Sequence, residues 1–329
     1  MTAPATRPAT LEDVARVAGL SRSTASRVLA GTGSASPAAR DRVAAAADQL
    51  GYVPDPAARA LVRGSGVRLA VAVVGTTAAV LDDPYLDRVV AAAARVCTPH
   101  GLGVTLHWLP RHAPQTLRRL TADRGIRGMV LVNTTKPVLD AVPRSLRGRV
   151  VSIGIGSPTV PAYDIDNGAG ATQVLRHLYA TGRRRIAMVT GPRWLICAGR
   201  SVRAYRGLAR EAGLPVRLVP GDFSAARGRE AAREILERWP DTDAIYAASD
   251  TTALGVIAGL RQRGCQVPGD IAVAGFDDIP LAELSTPALT TASHPVGRIA
   301  AAAAEAVLER RPAPPVTLFP SALIPRDSA

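Results

Sequence analysis

The residues best placed for chemistry lie at the start of a short helical pattern near the N-terminus. Ser21 precedes Arg22-Ser23-Thr24-Ala25-Ser26-Arg27-Val28-Leu29. Ala25, Val28 and Leu29 recur at helical spacing, which leaves Arg22, Ser23, Ser26 and Arg27 on the opposite face. An arginine at such a position offers two parallel N–H donors, the geometry that pairs with guanine O6 and N7 in a major groove. That is recognition chemistry rather than bond-making chemistry. Elsewhere, His100, His107, His112, His177 and His294 form no metal-spaced cluster, and Cys97, Cys197 and Cys265 stand far apart. Walker A, nucleophile-elbow and dinucleotide-binding signatures are missing from the sequence. No catalytic residue, metal ligand or cofactor is expected, and the chain does not read as an enzyme.

The elements that must position those arginines are equally short. Thr10 can cap a helix over Leu11–Ala18, with Asp13 placed to reach back in a capping box, and Gly19 supplies a turn. Ser21 caps the second helix. Two short helices joined by a glycine-containing turn are the sequence form of a helix-turn-helix, although a small helical bundle carries the same local pattern. Ser36-Pro37 opens a third helix through Leu50, and Gly51 closes it. Tyr52-Val53-Pro54-Asp55-Pro56 then leads a brief segment to Leu61, with its own Asp55 cap, and Arg63-Gly64-Ser65-Gly66 reads as a flexible joint.

The run Thr-Leu-x-Asp-Val-Ala-x-x-Ala-Gly-x-Ser-x-x-Thr-x-Ser-Arg-Val-Leu at Thr10–Leu29 resembles the head of the lactose-repressor (LacI/GalR) family. Gly51–Leu61 resembles that family's hinge helix. The resemblance implies a sequence-specific DNA-binding transcription regulator, by default a repressor. Its DNA contacts would fall on Thr10, Ser21, Arg22, Ser23, Thr24, Ser26, Arg27, Tyr52 and Arg59, with Leu61 wedged into the minor groove. Ala25, Ala30 and Asp55 stand where the family usually has valine, asparagine and asparagine.

From Val67 the pattern changes to alternating strands and helices. Strands are expected at 68–74, 103–109, 128–132, 150–154, 185–190, 244–249 and 271–276, and helices at 84–96, 168–180, 201–212, 225–238 and 251–263. Such alternation implies parallel sheets covered by helices, with ligands bound at the carboxyl ends of the strands. The resemblance continues through Asp166-Asn167, Gly221-Asp222-Phe223, Ala248-Ser249-Asp250, Gly275-Phe276-Asp277-Asp278 and Thr286–Thr291. It implies a two-lobed sensor similar to periplasmic sugar-binding proteins, crossed three times by the chain. Effector contacts would fall on Tyr85, Asp166, Trp194, Arg200, Phe223, Ser249 and Asp277. The family's effector arginine falls on Ser201, with Arg200 one step earlier, and Leu86 replaces a common aromatic.

The expected organisation is a head at 1–63, with its hinge helix near 55–63, a linker at 64–67 and a sensor and dimerisation domain at 68–329. The lobes would comprise about 68–163 with 292–316, and about 164–291 with 317–329. The chain of 329 residues carries a net +13, yet only one of its 40 basic residues, Lys136, is a lysine. Residues 1–68 hold nine arginines against five acids, so the charge is spread along the chain and locates no polyanion site. Together with alanine runs at 44–47 and 300–304, the arginine excess reads as a bias towards Ala and Arg. Unpaired cysteines and the lack of a signal-type or spanning segment fit a cytoplasmic protein without membrane partners. A palindromic operator read by one head per protomer calls for a homodimer, with a small-molecule effector, by default a sugar, in the cleft between the lobes. The alternatives are a DNA-binding member that no longer responds to a ligand and, further away, a solute-binding protein.

Overall fold

The computed structural model describes residues 9–30, 35–53, 67–310 and 314–329. The chain divides into two compact units, Met1–Ser65 and Gly66–Ala329. Among the described residues the first unit is helical: α1 (Leu11–Val17), α2 (Arg22–Leu29) and α3 (Pro37–Leu50). Val14, Ala15, Ala18, Ala25, Val43, Ala46 and Ala47 form its core, and Leu11, Leu20, Val28, Leu29, Leu50 and Tyr52 pack against it. Small residues at these contacts let three short helices approach closely, so half of the alanine run at 44–47 is core rather than compositional noise.

The second unit has the parallel α/β architecture expected from the alternating pattern. Its first lobe is a six-stranded sheet built from β1 (Arg68–Gly75), β2 (Gly103–Pro110), β3 (Ile126–Val132), β4 (Val150–Ile153), β5 (Ala162–Ile165) and β11 (Val316–Phe319). These lie in the order β11-β5-β4-β3-β1-β2. The second lobe is a four-stranded sheet in the order β7-β6-β8-β9, from β6 (Ile186–Val189), β7 (Arg217–Val219), β8 (Ala244–Ala247) and β9 (Ala272–Ala274). All pairings within the two sheets are parallel. Burial on both faces explains why β1 reads as Leu-Ala-Val-Ala-Val-Val without alternation.

The chain changes lobe at Asp166, after His294 and after Phe319. The expected lobe boundaries, about 163/164 and 316/317, fall within β5 and β11, each of which belongs wholly to the first sheet. Val316–Phe319 pairs with Ala162–Ile165 as the sheet's edge, so the last crossing comes only after Phe319. After that crossing, β12 (Leu323–Ile324) pairs antiparallel with β10 (Thr291–Ala292) and ties the two return segments together.

Three helices bear on the site: α4 (Pro84–Cys97), α7 (Asn167–Ala180) and α8 (Ile196–Ala212); α5 and α6 are the short helices Pro114–Ala122 and Lys136–Asp140. The helix α8 begins five residues before the expected Ser201, because Leu195 at its N-cap supplies no side-chain cap and so no sequence signal. Beyond it lie α9 (Ala225–Arg238), α10 (Asp250–Arg261), α11 (Pro280–Leu284) and α12 (Val296–Glu309). The last contains the alanine run at 300–304. Ile299, Ala300, Ala303 and Ala304 are buried there, and a Cβ added at Gly128 on β3 would lie 2.1 Å from Val307 Cγ1.

Candidate nucleic-acid interface and ligand cleft

In the head, both capping arrangements form. Asp13 Oδ2 accepts from Thr10 N at 3.0 Å and from Thr10 Oγ1 at 2.7 Å, while Thr10 Oγ1 accepts from Asp13 N at 3.4 Å. Gly19 takes φ +63 in the turn, a conformation that favours a residue without Cβ. Ser21 Oγ accepts from Thr24 N at 3.2 Å and sits 2.9 Å from Ser23 Oγ. With Ala25 fully buried, Arg22, Ser23 and Arg27 stand exposed on the outer face of α2 and Ser26 is half-buried beside them. Arg22 reaches Glu12 at only 3.5 Å with both side chains solvated, and Arg27 Nε donates to Ser23 O at 3.3 Å. Neither contact immobilises its guanidinium strongly, so both remain available to a base edge or a phosphate. Thr10 is exposed at the start of α1. Tyr52 instead packs half-buried against the head's core, its N–H on Ala47 O at 2.8 Å. Arg59 and Leu61 lie outside the described residues.

In the second unit, the carboxyl ends of strands from both sheets converge on one cleft. Its inner chamber, about 80 Å³, is walled by Asp83 and Tyr85 after β1, Asn133 after β3, Asp164 on β5, Cys197 after β6, Phe223 after β7, Asp277 after β9 and His294 at the crossing. An outer chamber of about 410 Å³ shares Asp83, Asn133, Leu195 and Phe223 with it and adds Trp194 and Asp222. Non-glycine residues with positive φ among those described are Asn133, Phe223, Asp277, Asp278 and Arg310, and three of them line the inner chamber. Backbone held in that region gathers where side chains must be aimed precisely.

Asp277 is the hinge of this geometry. Asp250, wholly buried, fixes its loop: Asp250 Oδ2 accepts from Ile279 N at 2.9 Å, Oδ1 accepts from Thr291 Oγ1, and its own N–H donates to Phe276 O at 2.7 Å. Gly275 allows the approach, since a Cβ there would meet Asp250 Oδ1 at 2.3 Å. Asp277 Oδ1 then lies 2.9 Å from His294 Nδ1, close enough to share one proton, while His294 Nε2 is buried without a partner. From the other lobe, Arg88 on α4 donates to Asp277 O at 3.0 Å and to His294 O at 3.0 Å, so it clasps both return segments by their carbonyls.

Burial dominates the electrostatics. It pushes the Asp277 carboxyl well above the ordinary carboxylate range, reinforced by the like charge of Asp83 and opposed by Arg88. Asp83 and Asp164 are raised by the same desolvation, although Asp83 caps α4 through Tyr85 N at 3.0 Å and Asp164 holds Arg200. His294 is drawn down to about 4 and is neutral at pH 7; the Cys197 thiol is pushed up to about 12.

The structure thus brings Tyr85, Trp194, Phe223 and Asp277 to the cleft wall, but not three other expected contacts. Asp166 Oδ1 caps α7 by accepting from Ala169 N at 2.9 Å, and its side chain is exposed away from both chambers. Ser249 caps α10, accepting from Thr252 N at 3.2 Å. Arg200 Nη1 donates to Asp164 Oδ2 at 2.7 Å, and neither it nor the buried Ser201 lines a chamber. Leu86, on α4, is buried in the core. Sequence reasoning missed Asp83, Asn133, Asp164, Cys197 and His294. Only a residue's place just beyond a strand could have found them, and β5, which carries Asp164, was not foreseen. Among the described residues, no His, Cys, Asp or Glu cluster could hold a metal, and no helix is long and apolar enough to cross a membrane.

Residues 10–55 match the model of bacterial regulatory proteins of the lacI family, and residues 175–329 match the periplasmic binding protein-like domain. The chain is 34% identical over 300 residues to the HTH-type transcriptional regulator CelR of Thermobifida fusca, covering 88% of each. Among solved structures, the transcriptional regulator CelR–cellobiose complex superposes with a TM-score of 0.70 at 29% identity, over 98% of this chain and 100% of that one. The lac repressor dimer bound to operator and the anti-inducer ONPF gives 0.84 at 23% identity, over 98% and 99%, a likeness of fold.

Proposed function

The chain belongs to the lacI family of bacterial regulatory proteins, and from that premise we propose a repressor that binds a palindromic operator as a homodimer and answers to a small polar effector in its cleft. DNA binding and transcriptional regulation are properties of the family to which it belongs, which is not enzymatic. The finer reading rests on one observation above all: the ends of strands from both sheets close a chamber around Asp277, and Arg88 joins the two lobes at that same loop. A ligand that accepts from or donates to Asp277 and His294 acts on segments already tied to α4. It can therefore favour one arrangement of the lobes over another, provided that its affinity differs between them. The outer face of α2, with Arg22, Ser23 and Arg27, supplies base contacts, and two such heads related by a two-fold axis read a palindrome. Cellobiose in a similar regulator makes a sugar the first class to test.

Thermal unfolding of the full chain against a panel of sugars and nucleosides tests the effector reading. A ligand is expected to raise the midpoint, and Asp277→Ala to abolish the rise while the unliganded variant remains folded. A rise of equal size in Asp277→Ala would place the binding site elsewhere.

A further inference from the structure

The charge of the cleft is opposite to that of the chain around it. Basic residues outnumber acidic ones by 40 to 27, yet the described walls of the two chambers hold Asp82, Asp83, Asp164, Asp222 and Asp277 and no lysine or arginine. The guanidinium groups that touch these walls are engaged. Arg200 pairs with Asp164 at 2.7 Å, Arg88 donates to carbonyl oxygens, and Arg111 lies over the Trp194 ring at 5.6 Å. That leaves Asp83 and Asp277 in the inner chamber without a cationic side chain on either carboxylate. Beside them, His294 is a buried wall residue, 8% exposed, whose Nε2 has no partner. Tyr85 and Phe276 flank that imidazole, with ring centroids 5.1 Å and 6.3 Å away.

From this arrangement we infer that the effector presents a protonated amino group to Asp83 and Asp277 in the inner chamber, on a polyhydroxylated ring that extends towards Trp194. The class is an amino sugar rather than a neutral or acidic one. A primary ammonium offers three donors to two carboxylates, and aromatic faces accept a cation where a sugar carboxylate would be repelled. Burial raises both carboxylates, and a bound cation offsets that cost. The pairing of Arg200 with Asp164 fits the same reading, because it withdraws an arginine that could have received an anionic or carbonyl group.

This inference rests on the cleft being the effector site. Isothermal titration of the full chain with glucosamine, glucose and glucuronate, and with the matching galacto and manno sets, separates the two ideas. The amino member of one set is expected to bind tighter than its neutral partner by roughly tenfold or more, as for a charge-assisted hydrogen bond, with the acid weakest. Asp83→Asn and Asp277→Asn are each expected to level the amino and neutral members. Asp166→Asn, at a carboxylate exposed away from both chambers, keeps the preference and controls for a general loss of negative charge. Neutral sugars binding as well as or better than their amino partners would overturn the inference while leaving the cleft a sugar site. Binding by no member of any set would overturn both.

Discussion

Asp277 shows how much a single side chain can be asked to do when its neighbours fix it. Its backbone sits at φ +113, its loop hangs from the buried Asp250, and its carboxyl lies 2.9 Å from His294 Nδ1. His294 provides the clearest pH test. Burial lowers its pKa from 6.5 to about 4, so between those values the unfolded chain takes up a proton that the folded chain refuses. Stability conferred by the neutral imidazole is therefore complete above pH 6.5 and falls as the pH drops towards 4. The buried carboxylates shift in the opposite sense, but burial is the main cause of their shifts and largely cancels between wild type and His294→Gln. Denaturant unfolding of the two proteins at pH 7 and pH 4.5 should show the wild type losing ground to the variant, by at most about 3 kcal/mol at 1.36 kcal/mol per tenfold in proton affinity. A constant difference across that range would mean that the imidazole is not buried as described.

At the scale of elements, the caps and periodicities of the head were legible because each helix carries its own start and stop. Thr10, Ser21 and Ser36 all cap as their sequence positions suggest, and Gly51 closes α3 in the left-handed conformation. The major strands of the body were legible as apolar runs. What escaped was short or unmarked: β5, β7 and β11 with four, three and four residues, and α8, which starts without a capping side chain. The alanine run of α12 reads as compositional bias because alanine carries no periodic contrast, whereas Ala300, Ala303 and Ala304 are buried in the core and Val307 of the same helix lies against Gly128. Gly128→Ala should push Val307 and Arg149 O apart and lower stability by about 1–3 kcal/mol, the usual cost of an overpacked contact. Thermal unfolding measures this; an unchanged midpoint would show that α12 can lift without penalty. Of the cleft, the aromatic and Asp277 positions followed from resemblance. The carboxylates at 83 and 164 and the imidazole at 294 come together only through strand order and chain crossing, which spacing along the sequence does not encode.

At the scale of the whole molecule, effector and operator binding are expected to be linked. If a ligand in the cleft changes operator affinity by a given factor, operator DNA changes ligand affinity by the same factor, typically equivalent to about 1–3 kcal/mol. Titrating the ligand into the full chain with and without operator should return that shared factor, and a ratio of one would mean that cleft and head are uncoupled. The charge distribution suits this division of labour: an arginine-rich chain attracts a polyanion, while the cleft keeps a local acidity of its own.

The most direct measurement is selection of duplexes from a random DNA library by the full chain, run in parallel with an Arg22→Ala, Arg27→Ala double variant. The account predicts a palindromic site enriched by the wild type. The variant should bind that site more weakly, by about 1–3 kcal/mol for each lost base contact, with sequence preference relaxed at the positions those arginines read. Enrichment of the same site with the same affinity by both proteins, or of no palindrome by the wild type, would contradict it.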